Sequence, residues 1–282
     1  MSTGPSEPIL YIVPTPIGNL DDITQRSLKV LNEADLIACE DTRHSGRLLD
    51  HYAIKTALTA LHDHNERGKS DWIVQQLQEG NTVALISDAG TPLISDPGYH
   101  LVNKVREAGF RVSPLPGACA AVAALSASGL PTDYFSFIGF LPAKSSQRKN
   151  KLNEHLSDTS TLIFYESPHR ILPCLVDMNE VFGERKVVLA REVTKTYETF
   201  LSGTFEKLIE TLEEDSNQQR GEMVVMVQGA DKREVSASLA GLDSMIKSSL
   251  KYLGVKQTSA LLSEITGLRK KEIYQRALEL SE

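Results

Sequence analysis

Residues 82–109, "TVALISDAGTPLISDPGYHLVNKVREAG", hold an apolar run, a polar turn rich in glycine and proline, and an amphipathic stretch. "TVALI" reads as a buried strand, because a short, nearly continuous apolar run bounded by turn residues suits a strand covered on both faces. The last part carries Leu101, Val102 and Val105 at helical spacing. Asp96 stands where a helix cap belongs and Pro97 where the first helical residue belongs. Gly109 stands where the helix should close. Between strand and helix lies "SDAGTPL", longer than a connection needs, ending in Leu93 with Ile94 just beyond it and with Pro92 and Pro97 stiffening the stretch. A loop so shaped at the carboxyl end of a strand is expected to form one wall of a ligand site, because open α/β sheets bind ligands at that rim.

The same alternation extends outward. "ILYIV" from 9, "DLIAC" from 35 and "FRVSPL" from 110 are strand-like. Helical patterns run over 24–33, with Leu28 and Leu31 inward, and over 71–79, with Trp72, Ile73 and Leu77. Strands alternating with helices predict an α/β layer around a largely parallel sheet. After Gly129, "GLPTDYFSF" reads as a crossover into a second unit, with the boundary near 128–134. There, "TLIFY" at 161, "KVVLA" at 186, "ETFLSG" at 198 and "MVVMVQG" at 223 are strand candidates, with helical patterns over 170–181 and 204–214. Strands packed so closely around 187–202 predict a mixed sheet. From Ala237 the strands stop. "LAGLDSMIKSSLKYLG" reads as a helix, "TSALLSEITG" as another with a threonine cap and a closing glycine, and "LRKKEIYQRALEL" as a third with Ile273, Ala277 and Leu280 on one face. The last two resemble a helix-turn-helix, with a helical cap or dimer arm as the plainer alternative. The expected division is an N-terminal α/β domain over 9–129, a second α/β domain over 130–235 and a helical module over 236–282.

A formal charge of -7 on 282 residues excludes a general electrostatic trap for nucleic acid and leaves room only for local basic patches. Cys39, Cys119 and Cys174 are widely spaced, which predicts a reducing compartment and no disulfide framework. No apolar run reaches membrane-spanning length. "MSTGPSEP" lacks the basic and apolar regions of a secretory signal and reads as a disordered lead-in. A soluble cytoplasmic protein is the expectation.

Several further segments carry chemistry. "VPTPIGNL", 13–20, leaves the first strand with backbone angles set by Pro14 and Pro16 and with Gly18 allowing close approach; a tight turn explains it equally well. It is neither a dinucleotide fingerprint nor a P-loop. "PLPGACAAVAALSASG", 114–129, pairs a rigid turn with small residues, which admit either a packed neighbour or a flat ligand; Gly117 stands just before that helix, whose first N–H groups could face a ligand. "FYESPHR", 164–170, ends a strand at Glu166, with Ser167 as cap and Pro168 as helix start. Its His169 and Arg170 sit in a first turn, where a cation meets the helix dipole unfavourably, so either a local role or a pair with Glu166 is implied. "CEDTRHSGR", 39–47, and "AREVTKTYE", 190–198, read as loops crowding ionisable groups after strands. His62 and His64 in "HDHNE" lack enough partners for zinc, so no metal site is expected. "LPAKSSQRKNK", 141–151, has Lys144, Arg148, Lys149 and Lys151 without an acid. It reads as a solvated segment or a phosphate contact. The C-terminal module adds Lys247, Lys251, Lys256, Arg269, Lys270, Lys271 and Arg276.

Taken together, "PTPIGNLDDIT", "CEDTRHS", "SDAGTPLISDPG", "PLPGACA", "GFLP", "FYESPHR" and "AREVTKTYE" resemble the bacterial 16S rRNA (cytidine-2'-O)-methyltransferases of the tetrapyrrole methylase superfamily, from Ile9 through the C-terminal helices. The resemblance implies two α/β domains with S-adenosyl-L-methionine folded in the cleft between them, a homodimer without membrane attachment, and 16S rRNA within the small ribosomal subunit as substrate. The reaction implied is direct methyl transfer to the 2'-hydroxyl of cytidine 1402 (RNA numbering). The superfamily's glycine-rich first loop would fall on Pro14–Asn19, its Gly-Asp-Pro on Gly90, Thr91 and Pro92, and its Pro-Gly-x-Thr-Ser turn on 116–120. The prolines, Thr91 and the missing hydroxyls depart from a tetrapyrrole pattern and fit the RNA-modifying branch.

On this basis the cofactor-binding residues are expected to be Pro16, Gly18, Ser87, Asp88, Ala89, Gly90, Leu93, Ile94, Gly117, Ala118 and Tyr165. Ser87 to Gly90 would offer backbone polar groups, and Leu93 and Ile94 an apolar surround. Gly90 would lie close to the cofactor, or would serve a turn that needs positive φ. A ribose hydroxyl is a very weak acid, so a base or cation should assist it. Glu166, His169, Glu192 and Lys195 are the candidates, with Asp41 in reserve. A methylase of a small tetrapyrrole and a non-catalytic RNA-binding protein are the competing readings.

Overall fold

The computed structural model describes residues 7–266, 268 and 270–281, with backbone alone over 232–240. Met1–Ser6, Gly267, Arg269 and Glu282 lie outside the described residues, and with them the lead-in, the closing glycine of the second C-terminal helix and one of its basic side chains. The chain forms two compact units, one of 7–153 with 161–228 and one of 154–160 with 229–281.

The larger unit contains two five-stranded sheets. The first comprises β1 (Ile9–Ile12), β2 (Leu36–Cys39), β3 (Ala57–Ala60), β4 (Val83–Leu85) and β5 (Arg111–Pro114), in the order β3-β2-β4-β1-β5 with every pair parallel. Helices α1 (Gln25–Glu33) and α2 (Thr42–His51) bury Leu31 and Leu49 on one face. Helices α3 (Glu66–Gln78) and α4 (Tyr99–Glu107) bury Ile73, Leu77, Leu101 and Val105 on the other. Covered on both sides, β2 and β4 are buried throughout, which is why they read as apolar runs.

Three local expectations change. β3 is a short edge strand of alanine, leucine and threonine and carries little strand signal. Most of the segment 39–47, expected as an ionisable loop, belongs to the helix α2 over Thr42–His51, whose cap is Asp41: its carboxylate accepts the N–H groups of Arg43 (2.8 Å) and His44 (3.4 Å). The helix after Asp96 begins at Tyr99, with Gly98 at φ +131° as its N-cap residue, so Asp96 and Pro97 precede it. Its cap comes from α3. The buried Glu66 carboxylate accepts the N–H groups of Gly98 (3.0 Å), His100 (2.9 Å) and Leu101 (3.2 Å). A charge-assisted acceptor at a helix N-terminus is favourable both for hydrogen bonding and for the dipole. This releases Asp96 from capping duty.

The second sheet comprises β6 (Phe135–Phe140), β7 (Thr161–Glu166), β8 (Val187–Arg191), β9 (Thr199–Gly203) and β10 (Met223–Val227), in the order β6-β7-β10-β8-β9. Only β6 and β7 pair in parallel, so the sheet is mixed, as its close-spaced strands suggested. Helices α6 (Ser145–Asn153), α7 (Ile171–Phe182) and α8 (Phe205–Glu214) cover one face. Ile171, Cys174, Leu175, Met178 and Phe182 form the buried stripe of α7. The opposite face is covered by α5 (Ala120–Ala127), whose Ala121, Ala124 and Leu125 pack on Ile163, Val188, Ala190, Val224 and Met226. Small side chains there let a helix that leaves the first sheet lie against the second.

The basic run 144–151 is mainly structural. Arg148 is buried, with Nε 2.6 Å from Asp177, and Lys149 pairs with Glu180 and Asp177. An unpaired charge at that depth would be costly, so α7 supplies its counter-ion.

In the smaller unit, α9 (Lys232–Leu250), α10 (Val255–Thr266) and α11 (Lys270–Glu279) share a core of Leu242, Ile246, Leu262, Ile273 and Ala277, with Leu280 against it. The expected threonine cap, Thr258, is instead buried within α10. Arg276 clamps Asp243 with two bonds of 2.8 and 2.7 Å. Among the described residues no helix is long and apolar enough to cross a membrane.

Candidate active site

A cavity of about 330 Å³ opens at the carboxyl rim of the first sheet, where the second sheet meets it. That volume lies in the lower part of the range for small-molecule sites, about 300–1,000 Å³. The loop after β4 contributes Asp88–Thr91 and Ile94–Asp96, and Ile17 comes from the loop after β1. Cys119 and Ala120 open α5 against it. From the second sheet come Phe140, Tyr165, Glu166, Ser167, Pro168, Val193 and Glu222–Val224.

The loop after β4 owes its shape to mutual bracing. Thr15 and Gly90 exchange backbone bonds of 2.9 and 3.0 Å as an isolated antiparallel bridge. Thr15 Oγ1 donates to the Ser87 carbonyl (3.1 Å), Ser87 Oγ to the Gly90 carbonyl (3.1 Å) and Thr91 Oγ1 to the Ala118 carbonyl (2.8 Å). Gly90 has φ +86°, and a Cβ there would meet Ile17 at 3.3 Å. Gly90 therefore serves a left-handed turn and also lines the cavity. Leu93 and Ser95 also take positive φ, +73° and +66°. For residues with side chains this costs of order 1–3 kcal/mol each and persists only where surroundings impose it.

The expected cofactor set divides. Asp88, Ala89, Gly90, Ile94 and Tyr165 line the cavity. Ser87 is buried beneath it, and its carbonyl and hydroxyl brace the loop. Leu93 turns into the core under the first sheet, against Leu85 and Leu101, because its left-handed backbone aims the side chain away from Ile94. Gly117 is tight against Pro14, and Gly18 against Thr194 and Lys195, so both allow approach of protein and not of ligand. Pro16 and Ala118 stand beside the cavity without lining it; the Ala118 carbonyl is turned to Thr91.

The expected bases divide as well. Glu166 lies in the wall, but its carboxylate is taken by Arg170 at 3.1 Å and by the Ser167 N–H at 2.8 Å. His169 lines a neighbouring groove. Glu192 accepts the Glu222 N–H (2.9 Å) and Lys195 Nζ (3.0 Å), and Lys195 also pairs with Glu222. Burial works to raise the Glu192 carboxyl, but these bonds outweigh it and hold it below its ordinary range. Burial likewise lowers Lys195, and the two glutamates outweigh it to raise the ammonium. This pair stabilises the loop that meets the first sheet, where Asn19 N–H donates to Thr194 Oγ1 (3.1 Å). Asp41 caps α2.

Sequence reasoning passed over Asp96 as a site residue by treating it as a cap. It is half-buried in the cavity wall, and burial, then the nearby Glu40, Asp88 and Asp63, push its carboxyl up to about 6 against a hydrogen bond from Ser87. Glu40 is raised by the same combination of burial and neighbouring acids. The crowding of negative groups around one small cavity favours a cationic guest. Tyr165 packs against Phe137 and accepts the Ala121 N–H (3.1 Å), and burial pushes its phenol well above its ordinary value. A β-bulge at Gly139, φ +74°, brings β6 close to Ser95 and presents Phe140 to the cavity.

Comparison with known proteins agrees with this architecture. Residues 9–209 match the family described as Tetrapyrrole (Corrin/Porphyrin) Methylases, and 236–281 match the RsmI C-terminal HTH domain. The chain is 55% identical over 272 residues to ribosomal RNA small subunit methyltransferase I of Haemophilus influenzae, covering 95% of each chain. It is 54% identical to the protein of that name from Vibrio cholerae, covering 96% of this chain and 95% of the other. Among solved structures it resembles uroporphyrin-III-C-methyltransferase from Thermus thermophilus (TM-score 0.55, 22% identity, 78% and 94% of the two chains). It also resembles a diphthine synthase (TM-score 0.62, 13% identity, 78% and 90%). At such identities the structural likeness concerns the fold alone.

Proposed function

Because the chain belongs to the ribosomal RNA small subunit methyltransferase I family, built on the tetrapyrrole methylase fold, we propose that its rim cavity is where 16S rRNA is methylated. The enzyme modifies the 2'-hydroxyl of cytidine 1402 (RNA numbering) and uses S-adenosyl-L-methionine. The observation that carries the site assignment is Asp96, a half-buried carboxylate raised to about 6 in the wall of a cavity crowded with acids.

The residues suit that methyl donor. Ile17, Ala89, Ile94, Val193 and Val224 offer apolar surface to an adenosine and a carbon chain, and Asp88 and Asp96 offer negative charge to a sulfonium and an ammonium. When bound, the donor would supply the methyl group, its sulfur keeping the electron pair of the carbon–sulfur bond. Asp96 accepts the proton of the attacking hydroxyl as the new oxygen–carbon bond forms, so no alkoxide stands free. The braced loop over 87–91 would hold the bound groups against the cavity wall, and the apolar lining would exclude competing water. Glu166 and Arg170 keep the end of β7 in place, and the Glu192–Lys195–Glu222 cluster keeps the opposing loop closed on Gly18.

We assign cofactor binding to the two α/β domains over 9–129 and 130–235 and rRNA docking to the helix-turn-helix module over 236–282. Exposed Lys270 and Lys271 open α11, where like charge opposes the helix dipole and an anionic partner would relieve it. Two copies of the chain, acting in the cytoplasm, complete the proposal. Light scattering of the purified protein tests the homodimer.

The decisive experiment supplies methyl-labelled donor with small ribosomal subunits and, in parallel, with a precorrin. Label is expected on a ribose of 16S rRNA. Label on a base, or transfer to the precorrin alone, would overturn the assignment.

A further inference from the structure

Beside the rim cavity lies a second groove of about 410 Å³, and Pro168 lines both. Its floor is apolar, made by Pro168, Leu172 and Pro173 where β7 leads into α7. Its far wall is the short 3-10 turn over 216–219 and Arg220. His169 and Arg220 are both exposed at its mouth. The wall is rigid: Asp215 accepts Asn217 N–H and Gln218 Nε2, each at 3.0 Å, Gln219 Nε2 donates to the Leu212 carbonyl (2.6 Å), and the Arg220 carbonyl accepts Arg191 Nη1 (3.2 Å). The backbone of Arg220 is thereby held, and the exposed residue lines the groove.

Resting on the rRNA reading of the rim cavity, we propose that this groove binds the nucleotide adjacent to the methylated one. An unpaired nucleotide needs a cation for its phosphate, a flat surface for its base and hydrogen-bonding groups for its edges. Arg220 supplies the first, the His169 ring and Pro168 the second, and Ser216 with the Gln219 carboxamide oxygen the third. Groove and cavity adjoin at Pro168, so in this reading a strand whose target ribose reaches Asp96 lays its neighbour across His169. This also gives the histidine of "FYESPHR" a purpose away from the reacting atoms: it is a positioning residue for substrate.

The test measures methylation of small ribosomal subunits by full-length Arg220→Glu, Arg220→Lys and His169→Ala variants, with S-adenosylmethionine affinity of each by calorimetry. Arg220→Glu should raise KM for subunits about tenfold and lower the slope of log KM against log salt by about 1. Maximal kcat and donor affinity should stay within twofold, which also shows that the variant is folded. Arg220→Lys should restore most of the KM, and His169→Ala should raise KM severalfold without changing the salt slope. If wild-type enzyme methylates subunits and both Arg220→Glu and His169→Ala keep its KM, the groove carries no nucleotide. The same holds if donor affinity falls in step with KM, since the groove would then act through the cavity. Wild-type enzyme that leaves subunits unmethylated overturns the rRNA reading itself, and this inference with it.

Discussion

Asp96 sits in a sequence context, Ser-Asp-Pro-Gly, that has every mark of a helix start, yet its carboxylate faces a cavity. Its raised value predicts an activity profile. The carboxylate accepts a proton only when ionised, so kcat/KM for subunits should climb as pH rises through about 6 and level off above it. Asp96→Asn should lower kcat by about 10²–10⁴-fold and abolish that acid limb. An unchanged limb in the asparagine variant would assign it to another group. The same shift acts on stability with the opposite sense. The folded value lies above the ordinary 3.8, so the folded chain holds more protons than the unfolded chain between the two values. The contribution of Asp96 to stability therefore falls as pH rises across that window. At Gly90, positive φ and the contact with Ile17 predict separate costs. Gly90→Ala should lose about 1–2 kcal/mol of stability from backbone strain. Gly90→Val should lose more and also weaken donor binding, because its branches reach Ile17 in the cavity wall. Calorimetric titration beside thermal unfolding separates the two, and unaltered affinity in folded Gly90→Val would remove this loop from the cofactor wall.

At the scale of elements, the start of α4 is made by a residue of α3. Glu66 accepts three N–H groups and is almost fully buried, so no water can replace it. Glu66→Ala should cost about 2–3 kcal/mol in urea unfolding, from donors left unsatisfied. Glu66→Gln, which keeps an acceptor, should cost less. Equal loss in both would mean that charge, and not hydrogen bonding, matters there. The loop before α4 depends on this cap. With Glu66 holding Gly98, the chain over 93–97 is free to take the left-handed angles that turn Leu93 inward and Ile94 outward. The helix α5 shows a different dependence. Its small residues left open whether a ligand or a neighbour approaches; its flank packs on the second sheet, and its first residues line the cavity.

For the whole molecule, several basic side chains of the acidic chain are spent within it, while others stand exposed. Arg148 and Lys149 are consumed by Asp177 and Glu180, and Arg276 by Asp243 and Glu279. Lys270 and Lys271 are exposed at the opening of α11. Reversing both to glutamate should raise KM for subunits at least tenfold and flatten its salt dependence by about two charges, with donor affinity unchanged. Unchanged KM would remove the helix-turn-helix from substrate docking.

Periodicity and turn chemistry by themselves determined the alternating first half, the mixed second sheet and the three C-terminal helices, because each depends on residues close in the chain. Asp88, Ala89, Gly90 and Ile94 were legible as cavity residues for the same reason: they lie on a loop whose composition announces a rim, whereas Tyr165, at the end of β7, was reached through the family resemblance. The tertiary structure alone decided which polar groups were already spent. Glu66 reaches a helix 32 residues away, Glu166 is held by Arg170, and Glu192 is held by the Glu222 backbone. Asp96 was thereby released, and burial among Glu40, Asp63 and Asp88 raised it. Local sequence carries propensity, whereas the state of a carboxylate depends on partners and dielectric brought together only when distant segments pack.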